Sequence, residues 1–408
     1  MKIIKCDRII SGDGVSIYED GAVVINKEGL IEDVGISDII QNKYPYAETS
    51  IKSGCTLMPG LIDMHVHLGS FDMRLDADKI RRNLGHITLI AYKNMQDALS
   101  VGITTLRSVS EPKGLGDALR AGFHKKYIKG PRYFTCERGI TVTGGHGTSS
   151  YLESQDYVIE ANGPWEFRKA VRQCVKEGAD WIKVLASHRE HYCELTLKEM
   201  LAVTDEAHRL GKKCCVHAAT KEAIEFAIEA GFDTIEHGAF LTPELAEKAA
   251  EKAIAWIPTA YIYLQAAQYL KEKIIESGEK PTKEEQIQIK YFEESTYAYR
   301  KNFKNNFNTG ILVATGTDVV FPDRHITPIS EEIETLCDLG LTPIEAIKCA
   351  TYNAAKILDK ENEVGSVKKG LYADILIIHG NPLDDIKHLK NVIEVYKEGK
   401  LLYKKDIF

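Results

Sequence analysis

The chain has 408 residues, 44% hydrophobic and 27% charged, with a formal net charge of -7. Acidic and basic residues are interspersed, so no basic stripe gathers to neutralise phosphates, which argues against nucleic acid or an anionic membrane as partner. No run approaches the ~18 uninterrupted apolar residues of a membrane span, and Asp7 and Arg8 interrupt the N-terminus before a signal-peptide core forms.

Residues 1–58 hold short alternating segments such as Gly21–Ile25, the pattern of strands with one buried face. From about residue 59, apolar runs of β type alternate with helical spacing. Strands are predicted at Leu61–His67, Thr104–Val109, Arg132–Glu137, Trp181–Ala186, Lys213–Ala218, Thr234–Gly238, Ala255–Thr259 and Ile311–Asp318. Helical patterns such as Leu197–Leu210 and Lys221–Ala230 lie between them. Eight strands separated by helices predict a parallel sheet closed into a (β/α)8 TIM barrel over residues 59–360. A doubly wound open sheet satisfies the same count. The stretch from Tyr261 to Thr309 is too long for an ordinary connection. Its charged, aromatic pattern predicts a helical insertion at about 261–309, after the seventh strand, serving as lid, subunit contact or plain scaffold. Residues 361–408 return to short segments, Ala373–Ile378 and Val392–Lys397, broken by the turn Gly380-Asn381-Pro382. With residues 1–58 they predict a small β-sandwich assembled from both termini. The nine cysteines are far apart except Cys214 and Cys215, which would face opposite sides of a strand. Buried reduced thiols and a cytoplasmic location are expected.

The chemistry begins at His65-Val66-His67. Residues two apart at a strand end point to one face, so both imidazoles can turn into a barrel mouth. Lys183 lies in the hydrophobic run Trp181-Ile182-Lys183-Val184, where an ammonium is costly to bury. Burial favours a lysine's neutral amine, which can react with carbon dioxide to give a carbamate able to bridge two cations. His217, His237 and Asp318 end the predicted fifth, sixth and eighth strands. Six groups at strand ends would thus converge on one pocket. Nitrogen and oxygen donors without thiolate predict two divalent metal ions, zinc first, with manganese, cobalt or iron also suited. Two such ions about 3.5–4 Å apart ionise a water at neutral pH. Asp318 can ligate metal, take the proton and return it to the leaving group.

These residues resemble a known family. Met58-Pro59-Gly60-Leu61-Ile62-Asp63-Met64-His65-Val66-His67 looks like the opening signature of the amidohydrolase superfamily. Lys183, His217, His237 and Asp318 follow in the order of its two-metal sites. Gly365–Asp374 resembles the motif by which such chains return to their β-sandwich. Within the superfamily, Thr143-Gly144-Gly145-His146-Gly147 resembles the prolidase-like metallo-dipeptidases and the imidazolonepropionase-related hydrolases. The resemblance implies that His146 polarises the scissile carbonyl, a donor's natural role opposite a metal. One position departs from it: dipeptidase relatives often carry an aromatic two residues after the strand-five histidine, where this chain has Ala219. Arg189 and His188 are candidates to hold the substrate carboxylate instead.

Three functions follow as expectations. A dipeptidase or carboxypeptidase would release the C-terminal amino acid of a small peptide, with Arg or Lys favoured because Glu137 and Asp323 could pair with a cationic side chain. A cyclic amidohydrolase of the imidazolonepropionase type would use the same groups. A metal-free scaffold is the reading from another class. A homo-oligomer is expected, with neither nucleic acid nor membrane as partner.

Overall fold

A computed structural model of the chain describes residues 1–69, 84–148, 157–188, 192–318 and 327–405. The N-terminal strands are β1 (Lys2–Ile10), β2 (Ile17–Ile25), β3 (Ile31–Ile36) and β4 (Glu48–Pro59). Next come β5 (Leu61–Val66), β6 (Ile103–Ser108), β7 (Arg132–Thr135), β8 (Gly139–Thr141), β9 (Val158–Glu160), β10 (Trp181–Leu185), β11 (Lys213–Ala218), β12 (Thr234–His237) and β13 (Ala255–Ile257). The last three are β14 (Ile375–His379), β15 (Val392–Lys397) and β16 (Lys400–Lys404).

Strands from the two ends of the chain share one seven-stranded sheet, ordered β16-β15-β14-β4-β1-β2-β3. The seam is antiparallel between β14 and β4, with Leu376 opposite Met58. Alternation puts Ile4, Ile9, Val23, Leu57, Ile375 and Ile377 into one apolar cluster, the core of the terminal β-sandwich.

The chain's middle forms the (β/α)8 barrel. β5, β6 and β7 pair in parallel, as do β10, β11, β12 and β13. The sequence predicts a full eighth strand at Ile311–Asp318, but only Val313 makes a bridge there, to Trp256. The reason is that two amides leave the ladder. Thr317 N donates to the Asp63 carboxylate at 3.1 Å, and Thr315 N points to Cys349 O at 3.4 Å. The segment still closes the barrel, since Trp256 N donates to Leu312 O (2.8 Å), and on the other side Asp318 N donates to His65 O (2.9 Å). Gly316 permits this approach: a Cβ there would lie 2.7 Å from His65 Cβ and 2.6 Å from Ile257 Cγ2. The open-sheet alternative is thereby excluded.

The surrounding helices follow their local signals. The helix Leu197–Arg209 starts at a capping box, Thr196 with Glu199, worth about 1 kcal/mol. It buries Met200, Val203 and Ala207, one face at helical spacing. After β13, helices Ala260–Ser277 and Lys283–Asn308 pack against each other and bury Tyr263, Tyr291, Tyr299 and Phe303.

Candidate metal centre at the barrel mouth

His65 and His67 sit at the end of β5. Their Nε2 atoms lie 3.4 and 3.2 Å from Asp318 Oδ1, and His237 Nδ1 lies 3.7 Å from Oδ2 of the same carboxylate. The His237 ring is 4.4 Å from that of His217, which is 4.3 Å from that of His146. Lys183 is opposite Cys215 in the β10–β11 register, so it faces the same side as His217 two residues on. It is 1% exposed, and among the described residues no carboxylate reaches its ammonium.

Burial, followed by the charge of Lys183, pushes the His65 imidazole down to about 4. Burial also drives His217 and His237 well below the ordinary value, helped by neighbouring histidines and Lys183. Burial opposes ionisation of Asp318, yet His65, His67 and His237 together hold its carboxyl well below the usual range. The site therefore presents His65, His217 and His237 as neutral imidazoles and Asp318 as an ionised carboxylate at neutral pH, the protonation states that ligate metal. Among the described residues, His65, His67 and Asp318 already bring ligand atoms within 4.8 Å of one another. An ammonium buried beside these donors, with no carboxylate partner among the described residues, fits a metal-binding centre.

Most of these groups are braced from behind. His65 Nδ1 hydrogen-bonds Glu236 Oε2 at 2.7 Å, and Glu236 Oε1 accepts from Arg107 Nη2 at 2.7 Å. Both partners are fully buried. Burial alone would raise the Glu236 carboxyl, but Arg107 and His65 hold it well below the usual range. Arg107 also donates to Met64 O (2.6 Å) and lies 4.7 Å over the Trp181 ring. His67 Nδ1 is 3.1 Å from Ser110 O, and His237 Nδ1 is 2.8 Å from Thr259 Oγ1. Asp63, pushed up to about 7 by burial, accepts from Thr317 Oγ1 (2.7 Å) and so ties β5 to the closing segment. His237, Thr259 and Asp318 all have positive φ, 65°, 47° and 45°, a costly backbone for residues with a Cβ.

Sequence spacing did not reveal Arg107, Glu236 or the insertion's tyrosines. The first two carried a signal, being charges inside apolar strands that demand a partner. Tyr299 donates between His237 O (2.7 Å) and Pro258 O (2.6 Å), Tyr291 donates to Ala219 O (2.9 Å), and the Tyr263 ring lies 5.2 Å from His237. The insertion thus reaches the site from behind, which local spacing cannot show.

The expected substrate-holding residues divide. His188 is partly exposed, its ring 5.3 Å from that of His146, whose amide donates to Glu194 at 2.9 Å. Arg189 and Asp323 lie outside the described residues. Glu137 does not face the histidines. It has φ 53°, is 1% exposed, and its carboxylate packs beside Gly116 with Arg120 Nη2 at 3.8 Å. Buried there beside Arg120, the carboxylate is not among the groups that the structure brings together at the histidines. All nine cysteines are free thiols, and among the described residues no helix is long and apolar enough to cross a membrane.

Comparison with known proteins places this geometry. Residues 56–402 match the Amidohydrolase family. The ochratoxinase of Aspergillus niger is 27% identical, the alignment covering 98% of this chain and 86% of that protein. An imidazolonepropionase of Fusobacterium nucleatum is 23% identical over 98% of this chain and 96% of its own length. Among solved structures, a Xaa-Pro dipeptidase with methionine bound in its active site superposes with a TM-score of 0.85 at 28% identity, covering 99% of this chain and 100% of that one.

Proposed function

This chain belongs to the amidohydrolase family, a family of hydrolases acting on C–N bonds, and on that footing we propose that it is a two-metal dipeptidase releasing the C-terminal amino acid of small peptides. The observation that carries the reading is Lys183, buried without a carboxylate partner among the described residues, on the face shared with His217 and acting electrostatically on His65 and His237. His65, His67, Lys183, His217, His237 and Asp318 would hold two divalent cations, zinc by donor type, with Lys183 as the bridging carbamate. Bound there, the cations would supply a water ionised at neutral pH and polarise the scissile carbonyl.

The chain's own groups do the rest. Asp318, kept ionised by three imidazoles, takes the proton of the attacking water and delivers it to the departing amine. His146, on a loop freed by Gly144 and Gly147 at positive φ, donates to the oxygen that gains charge. His188, its ring 5.3 Å from that of His146, would meet the substrate carboxylate. With Glu137 buried beside Arg120, a preference for C-terminal Arg or Lys would rest on Asp323 alone.

A relative solved with an amino acid in its active site supports a peptide substrate. The test is a dipeptide library on chelated and zinc-reloaded enzyme, reading free amino acids. Release that disappears on chelation and returns with zinc is expected. No release from any dipeptide, with opening of a cyclic amide instead, would replace the dipeptidase by the imidazolonepropionase-like reading.

A further inference from the structure

We propose that His208, Cys214 and Asp233 form a second metal site, for one zinc-like divalent cation, at the end of the barrel opposite the mouth. His208 lies in the last turn of the helix Leu197–Arg209, Cys214 is the second residue of β11, and Asp233 immediately precedes β12. Three separate elements thus deliver three different donors to one point.

The spacing suits a metal. His208 Nε2 is 2.9 Å from Asp233 Oδ2, Cys214 Sγ is 3.5 Å from the same oxygen, and Cys214 Sγ is 3.8 Å from His208 Nε2. Zinc bonds of about 2.0–2.3 Å put the donors of a tetrahedral ion roughly 3.3–3.6 Å apart. The sulfur-to-carboxylate separation lies inside that range, and the sulfur-to-imidazole separation lies just above it. The third opens by a small swing of the His208 ring, whose side chain is 45% exposed. Cys214 is fully buried and anchored in the strand, and its amide donates to Asp233 Oδ2 at 2.8 Å, so the carboxylate is held beside the thiol. Water reaches the fourth position past His208 and the 25% exposed Asp233. Cys214 also packs in the barrel core and its thiol donates to Asp233, so the sulfur is held in place whether or not a cation is bound.

The donor set selects the ligand. Thiolate, imidazole and carboxylate together favour zinc, or cobalt in its place, over magnesium or calcium, which take oxygen donors. Binding converts the Cys214 thiol to a thiolate and releases one proton to solvent. The consequence is mechanical. β11 carries Cys214 and, three residues on, His217, while β12 carries His237 four residues after Asp233. At a rise of about 3.3 Å per residue, the two sites lie roughly 10–13 Å apart along the same strands. A cation there pins the Leu197–Arg209 helix to the feet of the two strands that present His217 and His237.

The mouth contains no sulfur among its six candidate ligands, so a thiolate band that depends on Cys214 reports this site. The metal-depleted full-length chain, with thiols reduced, is titrated with cobalt while the near-ultraviolet thiolate-to-cobalt charge-transfer band is recorded. The band is expected in the wild type and absent in Cys214→Ser. His208→Ala, a change on an exposed helix end, should weaken the affinity read from that band by about 100-fold or more. Zinc should raise the melting temperature of the wild type more than that of either variant. A wild type without the band at saturating cobalt overturns the proposal, as does a band that survives in Cys214→Ser.

Discussion

The two sides of the barrel mouth are built differently. On one side, His65 and His67 turn Nε2 to Asp318 and have Nδ1 held by Glu236 and the Ser110 carbonyl, while His237 Nδ1 is held by Thr259. On the other side, the His217 ring packs between His146 and His237, and among the described residues no hydrogen bond reaches it and no carboxylate partners Lys183. The first side is preorganised by hydrogen bonds and by a fully buried ion pair. The second is positioned by packing and by whatever its side chains bind. The bridging role proposed for Lys183 would suit that second side, because a group shared by two cations would be oriented by them rather than by a neighbour. Substitutions on the two sides should therefore fail in different ways.

The largest effect is expected at the unbraced side. Lys183→Ala should reduce the bound metal to one ion or none and bring turnover to background, measured by metal analysis and dipeptide hydrolysis on one preparation. Full metal content in that variant would end the bridging assignment. Asp318→Asn comes next: turnover should fall by roughly 10²–10⁴ with the metal largely retained, the signature of a lost proton carrier. Near-normal turnover would remove Asp318 from that role. His146→Ala should cost roughly 10²–10³ in turnover with little change in metal content, as for one lost oxyanion donor. If only KM rises, His146 binds the ground state and the donor role is withdrawn.

The contrast also shows what a sequence discloses. Strand-end histidines were legible because the two-residue period of a strand fixes which face each side chain takes, and the barrel fixes which end is functional. Glu137 obeyed the same rule on paper, yet in the structure its carboxylate is buried beside Arg120, a partner local spacing does not show. The irregular eighth segment was likewise hidden, since its amides are drawn off by Asp63 and Cys349, far away in sequence. Arg107 and Glu236 were legible as a problem, two charges in apolar strands, but not as a solution. Which buried charges meet is decided by barrel closure, not by local spacing.

The braced side should lose affinity before it loses chemistry. Glu236→Gln keeps the shape but leaves Arg107 fully buried without its counter-charge, a loss of about 3–5 kcal/mol in folding stability. The same change should weaken metal binding by roughly 10–100-fold through the His65 ring. Denaturant unfolding and competition with a chelator measure the two effects separately. Unchanged stability together with weakened metal would mean that Arg107 finds another partner.

Tyr299→Phe is the mildest test and the most specific. The hydroxyl donates between His237 O and Pro258 O, but His237 O also accepts from Trp256 Nε1 at 2.7 Å. Removing the phenol oxygen therefore leaves the His237 carbonyl satisfied and deprives only Pro258. The expected cost is one neutral hydrogen bond, about 0.5–1.5 kcal/mol in folding stability. Turnover should fall only a few-fold, because Thr259 and Trp256 still hold His237 at its strained φ of 65°. A drop beyond about tenfold in kcat with normal stability would show that the phenol acts on substrate. The insertion would then belong to the reacting site rather than to the brace behind it.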